Sequence, residues 1–136
     1  MQSAIAFRLQ KGDDLYQKLK LHMSAAIVTC VGSLQVCRIR LAGAQPDQQN
    51  FQVINGPLEI VSLVGTISPD GIHVHISVSD STGHVWGGHL TEGSIVDTTA
   101  EIVLLDFSSL TQGKQKFARL PDPQTGFREL SIVTSS

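Results

Sequence analysis

Charged residues are scarce in this chain of 136 residues: Lys, Arg, Asp and Glu make up 16 % of it, whereas globular proteins average about 25 %. Apolar residues make up an ordinary 41 %, so a core is available but little charge is left for the surface. We therefore expect other copies of the chain to cover part of that surface. The net charge is −2, and the ten Lys and Arg are scattered. Since no basic patch is evident, composition argues against nucleic-acid binding.

Cysteine and long apolar runs are also scarce. The only two cysteines, Cys30 and Cys37, form no C-x-x-C motif, so we expect buried, reduced thiols in a cytoplasmic protein. No segment approaches the roughly 18 apolar residues of a membrane span. The N-terminal residues show no basic start followed by an apolar run, so no signal peptide is expected.

The apolar spacing predicts one α+β domain over residues 1–136, made mainly of antiparallel strands with one flanking helix. Loose alternation over residues 3–9 predicts a first strand. Apolar residues at every fourth position after Asp13, a candidate N-cap, predict a helix over about residues 13–23.

The rest of the chain is typical of strands and turns. Two strands joined by a turn at Gly32 and Ser33 are predicted first, and single strands follow. The predicted strand segments are residues 25–31, 34–41, 51–54, 58–67 and 94–107. From about residue 111 the chain is polar and contains two prolines, so we expect an irregular tail.

Four of the five histidines lie within twenty residues, in the segment GIHVHISVSDSTGHVWGGHL at residues 71–90. Side chains alternate between the two faces of a strand. His73, His75, Ser77 and Ser79 therefore share one face of the first strand in this segment. The opposite face is apolar and is expected to face the core.

A hairpin is predicted at residues 81–83, with Gly83 in the left-handed position of a three-residue loop. Asp80 then opposes His84, and the numbers of facing residues sum to 164. This register places His89 opposite His75, on the histidine face, and places Trp86 on the apolar face. A slip by one residue would reverse both placements. His84 falls on the other face and is predicted not to be a metal ligand.

Three imidazoles at this spacing can meet at one metal ion. Facing Cβ atoms lie about 4.5–5.5 Å apart, and three histidines with one open position are typical of a catalytic zinc site. From spacing alone, a polar sheet face without a metal explains His73, His75 and His89 equally well.

Four further residues are candidates for a pocket beside the histidines. Gly87 opposes Ser77 and, with Gly88, leaves room for a ligand or another subunit. Glu59 and Glu101 are candidate general bases, because carboxylates are rare in the apolar strands. The alternative for each glutamate is a charge at a strand edge or an interface.

The segments LEIVSLVGTI, GIHVHIS and GGHL, together with FRL and GDDL near the N-terminus, resemble the PPC (or PCC) domain, which is conserved in plants and prokaryotes. The chain is identified as a stand-alone member of the prokaryotic type. The resemblance implies an antiparallel sheet with flanking helices, assembled as a homotrimer. It also implies that zinc or another divalent transition metal binds to His73, His75 and His89.

The sequence departs from the plant members in two motifs. It lacks the R-G-R-P of the AT-hook, through which those members contact DNA, and it has GPLEIV at residues 56–61 where they have G-R-F-E-I-L.

Two candidate functions remain open. The first is a trimeric binding or regulatory module, with DNA as a weakly supported partner. The second is a metal-dependent enzyme for a small polar substrate, in which a metal-bound water ionises near neutral pH.

Overall fold

The computed structural model describes residues 3–136 of the chain, and strands make up most of them. Residues 1 and 2, which the predicted domain includes, lie outside this range. The strands are β1 Ala4–Gln10, β2 Ala25–Arg40, β3 Phe51–Ser68, β4 Gly71–Ser79, β5 Val85–Leu90, β6 Ile95–Asp106, β7 Gln115–Pro121 and β8 Arg128–Thr134; the helices are α1 Leu15–Leu19 and α2 Phe107–Leu110. Within the described part of the chain, neither helix has the length and apolar character that a membrane crossing requires.

Six strands form one antiparallel sheet in the order β1-β6-β2-β3-β4-β5, and β7 and β8 form a separate hairpin. β2 is long enough to pair with β3 along one edge and with both β6 and β5 along the other. Its last two residues pair with β5, Ile39 with Leu90 and Arg40 with His89. Strands β2, β3, β4 and β5 therefore close into a ring. The antiparallel strands and the two short helices confirm the prediction of a mainly antiparallel α+β domain.

The core lies on the apolar face of this sheet. Its largest fully buried side chains are Leu15, Leu19, Leu34, Ile39, Leu58, Ile67, Val74, Val78, Leu90, Val96, Ile102 and Leu104. Trp86 is partly buried and packs against this cluster, as predicted. Each such side chain contributes about 1.5–3 kcal/mol relative to an exposed position. The apolar face thus stabilises the fold, and the opposite face is free to hold polar groups.

The helix is shorter than the predicted 13–23, because α1 ends at Leu19. Its N-cap is Asp14, whose side chain accepts a hydrogen bond from the Gln17 N–H. Asp13, the predicted cap, instead accepts from the N–H of Gln10 at the end of β1. The apolar residues that extended the prediction are exposed: Leu21 is 73 % and Met23 65 % exposed. Without packing, a short helix gains too little to extend further.

No turn interrupts β2 at Gly32, where the sequence predicted one. Gly32 faces Ala100 of β6, and a Cβ at this glycine would lie 2.1 Å from the Thr99 carbonyl oxygen. The glycine therefore permits close approach of two strands, a role that sequence alone does not distinguish from a turn.

The segment expected to be an irregular tail from about residue 111 contains β7 and β8. Phe117 of β7 is buried and stacks against Phe107 with 5.2 Å between ring centroids. The Phe117 N–H donates to Ser24 Oγ, and the Arg119 N–H donates to Asp70 Oδ2. The prolines end β7 and lie in its turn rather than break the structure. This hairpin brings charged residues beside the histidines.

Candidate metal centre

Strands β4 and β5 bring three histidines to one place. The pairing has the predicted register, with His75 opposite His89, Ser77 opposite Gly87 and Val78 opposite Trp86. Gly83 has a φ of +84°, in the left-handed region that the predicted loop requires. The turn and the alternation of side chains therefore determine which histidines share a face.

His73, His75 and His89 form a group that we call the histidine group. Their ring centroids lie 5.0 Å apart for His73–His75, 5.2 Å for His73–His89 and 5.7 Å for His75–His89. One nitrogen from each ring lies within 4.8 Å of the other two. Tetrahedral zinc, with Zn–N bonds of 2.0–2.1 Å, needs nitrogens about 3.3 Å apart. The three nitrogens are close enough together that this donor set could hold a metal ion.

His84 lies outside the histidine group. It is at the end of the hairpin, with its ring centroid 4.4 Å from that of Trp86. Its backbone N–H donates to Asp80 Oδ1, and the Asp80 N–H donates to the His84 carbonyl oxygen. Its neighbours are therefore those of a turn residue.

The surroundings of His73 and His89 favour the neutral imidazole, which is the form that binds metals. Burial lowers the pKa of His89 to about 4, and the positive charge of Arg40 acts in the same direction. Burial also lowers the pKa of His73, followed in size by the effect of Arg119. Near neutral pH each of these two rings therefore has a lone pair available.

Two arginines that the sequence analysis did not assign to the site lie beside the histidine group. Arg40 Nη2 is 3.4 Å from His89 Nδ1, and its guanidinium carbon lies 5.3 Å from the centroid of the Phe127 ring. Arg119 is only 6 % exposed, and its Nη2 donates to Thr66 Oγ1 at 2.7 Å. The apolar residues of the strand that carries Arg119 are a weak indication of it in the sequence, but the nearby prolines favoured an irregular chain.

Two cavities adjoin the histidine group. One of about 380 Å³ borders His73 and His89, and its lining includes Arg40, Arg119, Phe127 and Glu129. Another of about 340 Å³ borders His75 and His89 and includes Gly88. His89 thus lies between two spaces large enough for a small ligand.

The candidate pocket residues occupy different places. Gly88 lines a cavity beside the histidines, and Gly87 faces Ser77. Glu59 pairs with Ser79 at the far end of β4. Glu101 pairs with Arg8 in β1 and lines a separate cavity there. The catalytic role of both glutamates stays a prediction, whereas the carboxylate of Glu129 lines a cavity that His73 and His89 share.

A family model described as the Plants and Prokaryotes Conserved (PCC) domain matches residues 1–108. The chain belongs to the PCC domain family. A solved structure of a hypothetical protein from Salmonella cholerae-suis is similar with a TM-score of 0.86 and 32 % identity, over 98 % of this chain and 94 % of that one. The family model thus covers residues 1–108, and the fold of nearly the whole chain is shared with the Salmonella protein.

More distant solved structures share the fold. A candidate DNA-binding protein from Bacteroides thetaiotaomicron has a TM-score of 0.80 and 20 % identity, over 96 % of this chain and 93 % of that one. A metal-containing protein from Archaeoglobus fulgidus has a TM-score of 0.75 and 23 % identity, over 96 % and 94 %. At this level of identity the likeness establishes the architecture alone.

One curated relative is much longer than this chain. The Bifunctional protein GlmU of Synechococcus sp. (strain JA-3-3Ab) is 42 % identical over 131 residues, which are 92 % of this chain but 20 % of the relative. The chain thus spans about a fifth of that relative's length, and the similarity concerns this part of it.

Proposed function

We propose that this chain is a homotrimeric PCC module that binds a divalent transition metal, with zinc preferred, through His73, His75 and His89. The observation that carries the proposal is the convergence of three imidazoles, one nitrogen of each within 4.8 Å of the others. Imidazole suits zinc, copper, iron and nickel. Three neutral ligands would leave one position open, and a zinc ion held there would supply Lewis acidity to a bound ligand.

A relative in structure supports the metal. The Archaeoglobus fulgidus protein is metal-containing by name and shares the fold. In the present chain the support is chemical, because the group consists of nitrogen donors on two paired strands of a stable sheet. Such an arrangement holds the ligands in place before the ion arrives, which reduces the cost of ordering them.

Metal analysis of purified protein tests this proposal. Wild type, His89→Ala and His84→Ala are incubated with excess zinc, desalted and measured by mass spectrometry of the metal. We expect stoichiometric zinc in wild type and in His84→Ala, and its loss in His89→Ala. The proposal is wrong if wild type retains no metal, or if both variants lose it equally.

The homotrimer is supported by exposed apolar side chains and by the low charge content. Large apolar side chains that are more than half exposed in the single chain include Val28, Val31, Val53, Val61 and Val64. These side chains all lie on the adjacent strands β2 and β3, and a second and a third copy of the chain would cover them. Light scattering should give a particle of three times the chain mass of 14.6 kDa; a monomer would contradict the proposal.

Direct DNA contact has weaker support. The Bacteroides thetaiotaomicron protein is a candidate DNA-binding protein by name, but the present chain has a net charge of −2. Binding to phosphates would weaken steeply as salt rises. A fluorescence titration at about 50 mM and 200 mM salt tests it, and the absence of binding at the lower concentration removes DNA as a partner.

A metal-dependent enzyme acting on a small polar substrate is the second candidate function. The observation in its favour is the cavity of about 380 Å³ beside His73 and His89, which Glu129 also lines. The test is a screen of small esters and carboxylic acids with zinc-loaded protein. Turnover that survives in His84→Ala and disappears in His89→Ala supports catalysis; equal turnover in both variants contradicts it.

A further inference from the structure

Arg119 has a buried positive charge with no carboxylate oxygen of the described chain within 4.0 Å, although the negative charge of Glu129 acts on it from farther away. Its side chain is 6 % exposed, and its Nε has no hydrogen-bond partner. Within residues 3–136 the only ion pair with a nitrogen–oxygen distance up to 4.0 Å joins Lys11 and Asp97. Burying an unpaired charge is costly, and buried charges in proteins are normally paired or hydrogen-bonded. Because Nε is enclosed by protein, an anion in the adjoining cavity would bind through the outer nitrogens of the Arg119 guanidinium.

Metal binding to His89 would remove the nitrogen acceptor that the Arg40 side chain now faces. Its Nη2 lies 3.4 Å from Nδ1 of His89. A metal on Nδ1 would occupy the lone pair that the arginine faces. A metal on Nε2 would place the ring proton on Nδ1, where it opposes another donor. In either case Arg40 needs a new acceptor, while its contact with the Phe127 ring limits where the guanidinium can turn.

Both arginines border the same cavity of about 380 Å³ as His73 and His89. The charged residues that line this cavity are Arg40, Arg119, Arg128, Asp70 and Glu129. Asp70 already accepts a hydrogen bond from the Arg119 backbone N–H, and Arg128 Nη2 donates to the Arg119 carbonyl oxygen. Positive groups outnumber negative ones here, so the cavity favours an anionic ligand.

We propose that Arg40 and Arg119 form an anion subsite beside the histidine group, which binds the carboxylate or phosphoryl oxygens of a small ligand. Planar guanidinium groups match both oxyanions, often with two parallel hydrogen bonds. The subsite shares a cavity with His73 and His89, so one small molecule could contact the arginines and a metal held by the histidine group. Its role in ligand choice rests on the proposed metal function, whereas the contacts of the arginines with an anion do not.

The test uses the intact chain, freed of metal with a chelator that is then removed, at constant ionic strength. Inorganic phosphate and succinate are titrated separately by calorimetry into wild type, Arg40→Gln and Arg38→Gln. Arg38 is the matched control, since it lies two positions earlier on β2 and its guanidinium stacks over Phe51 instead. We expect saturable binding of at least one anion, about tenfold weaker in Arg40→Gln and unchanged in Arg38→Gln.

The two titrations distinguish a phosphoryl ligand from a carboxylate ligand. Tighter binding of phosphate indicates the first class, and tighter binding of succinate indicates the second. Arg119→Lys, which retains the charge but not the fork, should weaken binding while the circular dichroism spectrum stays that of wild type. The proposal is overturned if neither anion binds, as when a carboxylate from another copy of the chain fills the site. It is also overturned if Arg38→Gln weakens binding as much as Arg40→Gln.

Zinc content measured on the same proteins separates the two proposals. Arg40→Gln should retain zinc, because its histidines are intact. A wild type that binds phosphate or succinate but no zinc would remove the proposed metal function and leave the anion subsite standing. A wild type that binds zinc but neither anion would do the reverse.

Discussion

The two faces of β4 differ in everything except the backbone they share. Ile72, Val74, Ile76 and Val78 on one face are 9 % exposed or less. Between them, His73 and His75 project from the other face and remain exposed. The same hydrogen bonds to β3 and β5 hold both sets of side chains in position. The apolar face therefore supplies the stability, and the histidine face receives a rigid support to which it contributes little.

This difference teaches how a site can be held in place without stabilising the fold itself. Core packing determines the register of β4 against β5, and the register determines where the imidazoles lie. The histidine group can then bind or lose a ligand without loss of the sheet. Changes on the two faces should have separate consequences, in stability and in binding.

The largest effect is expected from the core face. Ile76→Ala should lower the free energy of unfolding by about 2–5 kcal/mol, because it leaves a cavity in a packed core. His75→Ala, one position away, should change it by less than about 0.5 kcal/mol in metal-free protein. Urea unfolding with a chelator present measures both. Comparable losses in the two variants would refute the division between the faces.

Zinc should stabilise the protein through the histidine face. At a free zinc concentration of 100 times Kd, wild type should gain about 2.7 kcal/mol, since the ion binds the folded state alone. His75→Ala should gain almost nothing, and His84→Ala should gain as much as wild type. Thermal unfolding at rising zinc concentrations measures this, and an equal shift in all three proteins would mean that zinc binds elsewhere.

The two neighbouring glycines of β5 extend the comparison to the next strand. Gly88 lies on the core face, and a Cβ there would be 2.7 Å from the Arg40 carbonyl oxygen and 3.2 Å from Ile39 Cδ1. Gly88→Ala should therefore cost about 1–3 kcal/mol. At Gly87 the nearest atom, the Ile76 carbonyl oxygen, would be 3.0 Å away, so Gly87→Ala should cost less. Urea unfolding of the two variants checks the order.

The smallest effect is expected at the turn that joins β4 to β5. Hydrogen bonds from the side chains of Thr82 and Trp86 lower the pKa of Asp80 to about 2, below its unfolded value of about 3.9. The stabilisation is therefore complete above about pH 4 and is lost as the pH falls towards 2. Asp80→Asn should melt below wild type at pH 7 and together with it near pH 2. A constant difference across this range would contradict the assignment.

Local patterns made the histidine group predictable. The alternation in residues 72–79, the glycine at position 83 and the apolar Trp86 together determine the register, and they act over fewer than twenty residues. The PCC domain family was also evident from GIHVHIS and GGHL. By contrast, the helix was predicted too long, because apolar spacing at Leu21 and Met23 says nothing about whether a partner surface covers them.

The pairing of distant segments could not be predicted in this way. Gly32 gave the same signal as a turn residue, although it marks the close approach of β2 to β6. The prolines around β7 and β8 suggested irregular chain, although Phe117 anchors that hairpin in the core. Both errors arose where the decisive partner lies far away in the sequence.

By itself the sequence determined an antiparallel sheet with an apolar face and a polar face, and three histidines on the polar one, because strand alternation and turn chemistry act locally. Only the tertiary structure decided what surrounds those histidines. Arg40 reaches His89 because β2 pairs with β5, and Arg119 arrives on a hairpin from the far end of the chain. Such contacts depend on which distant surfaces are buried together, a global balance of packing that no short segment encodes.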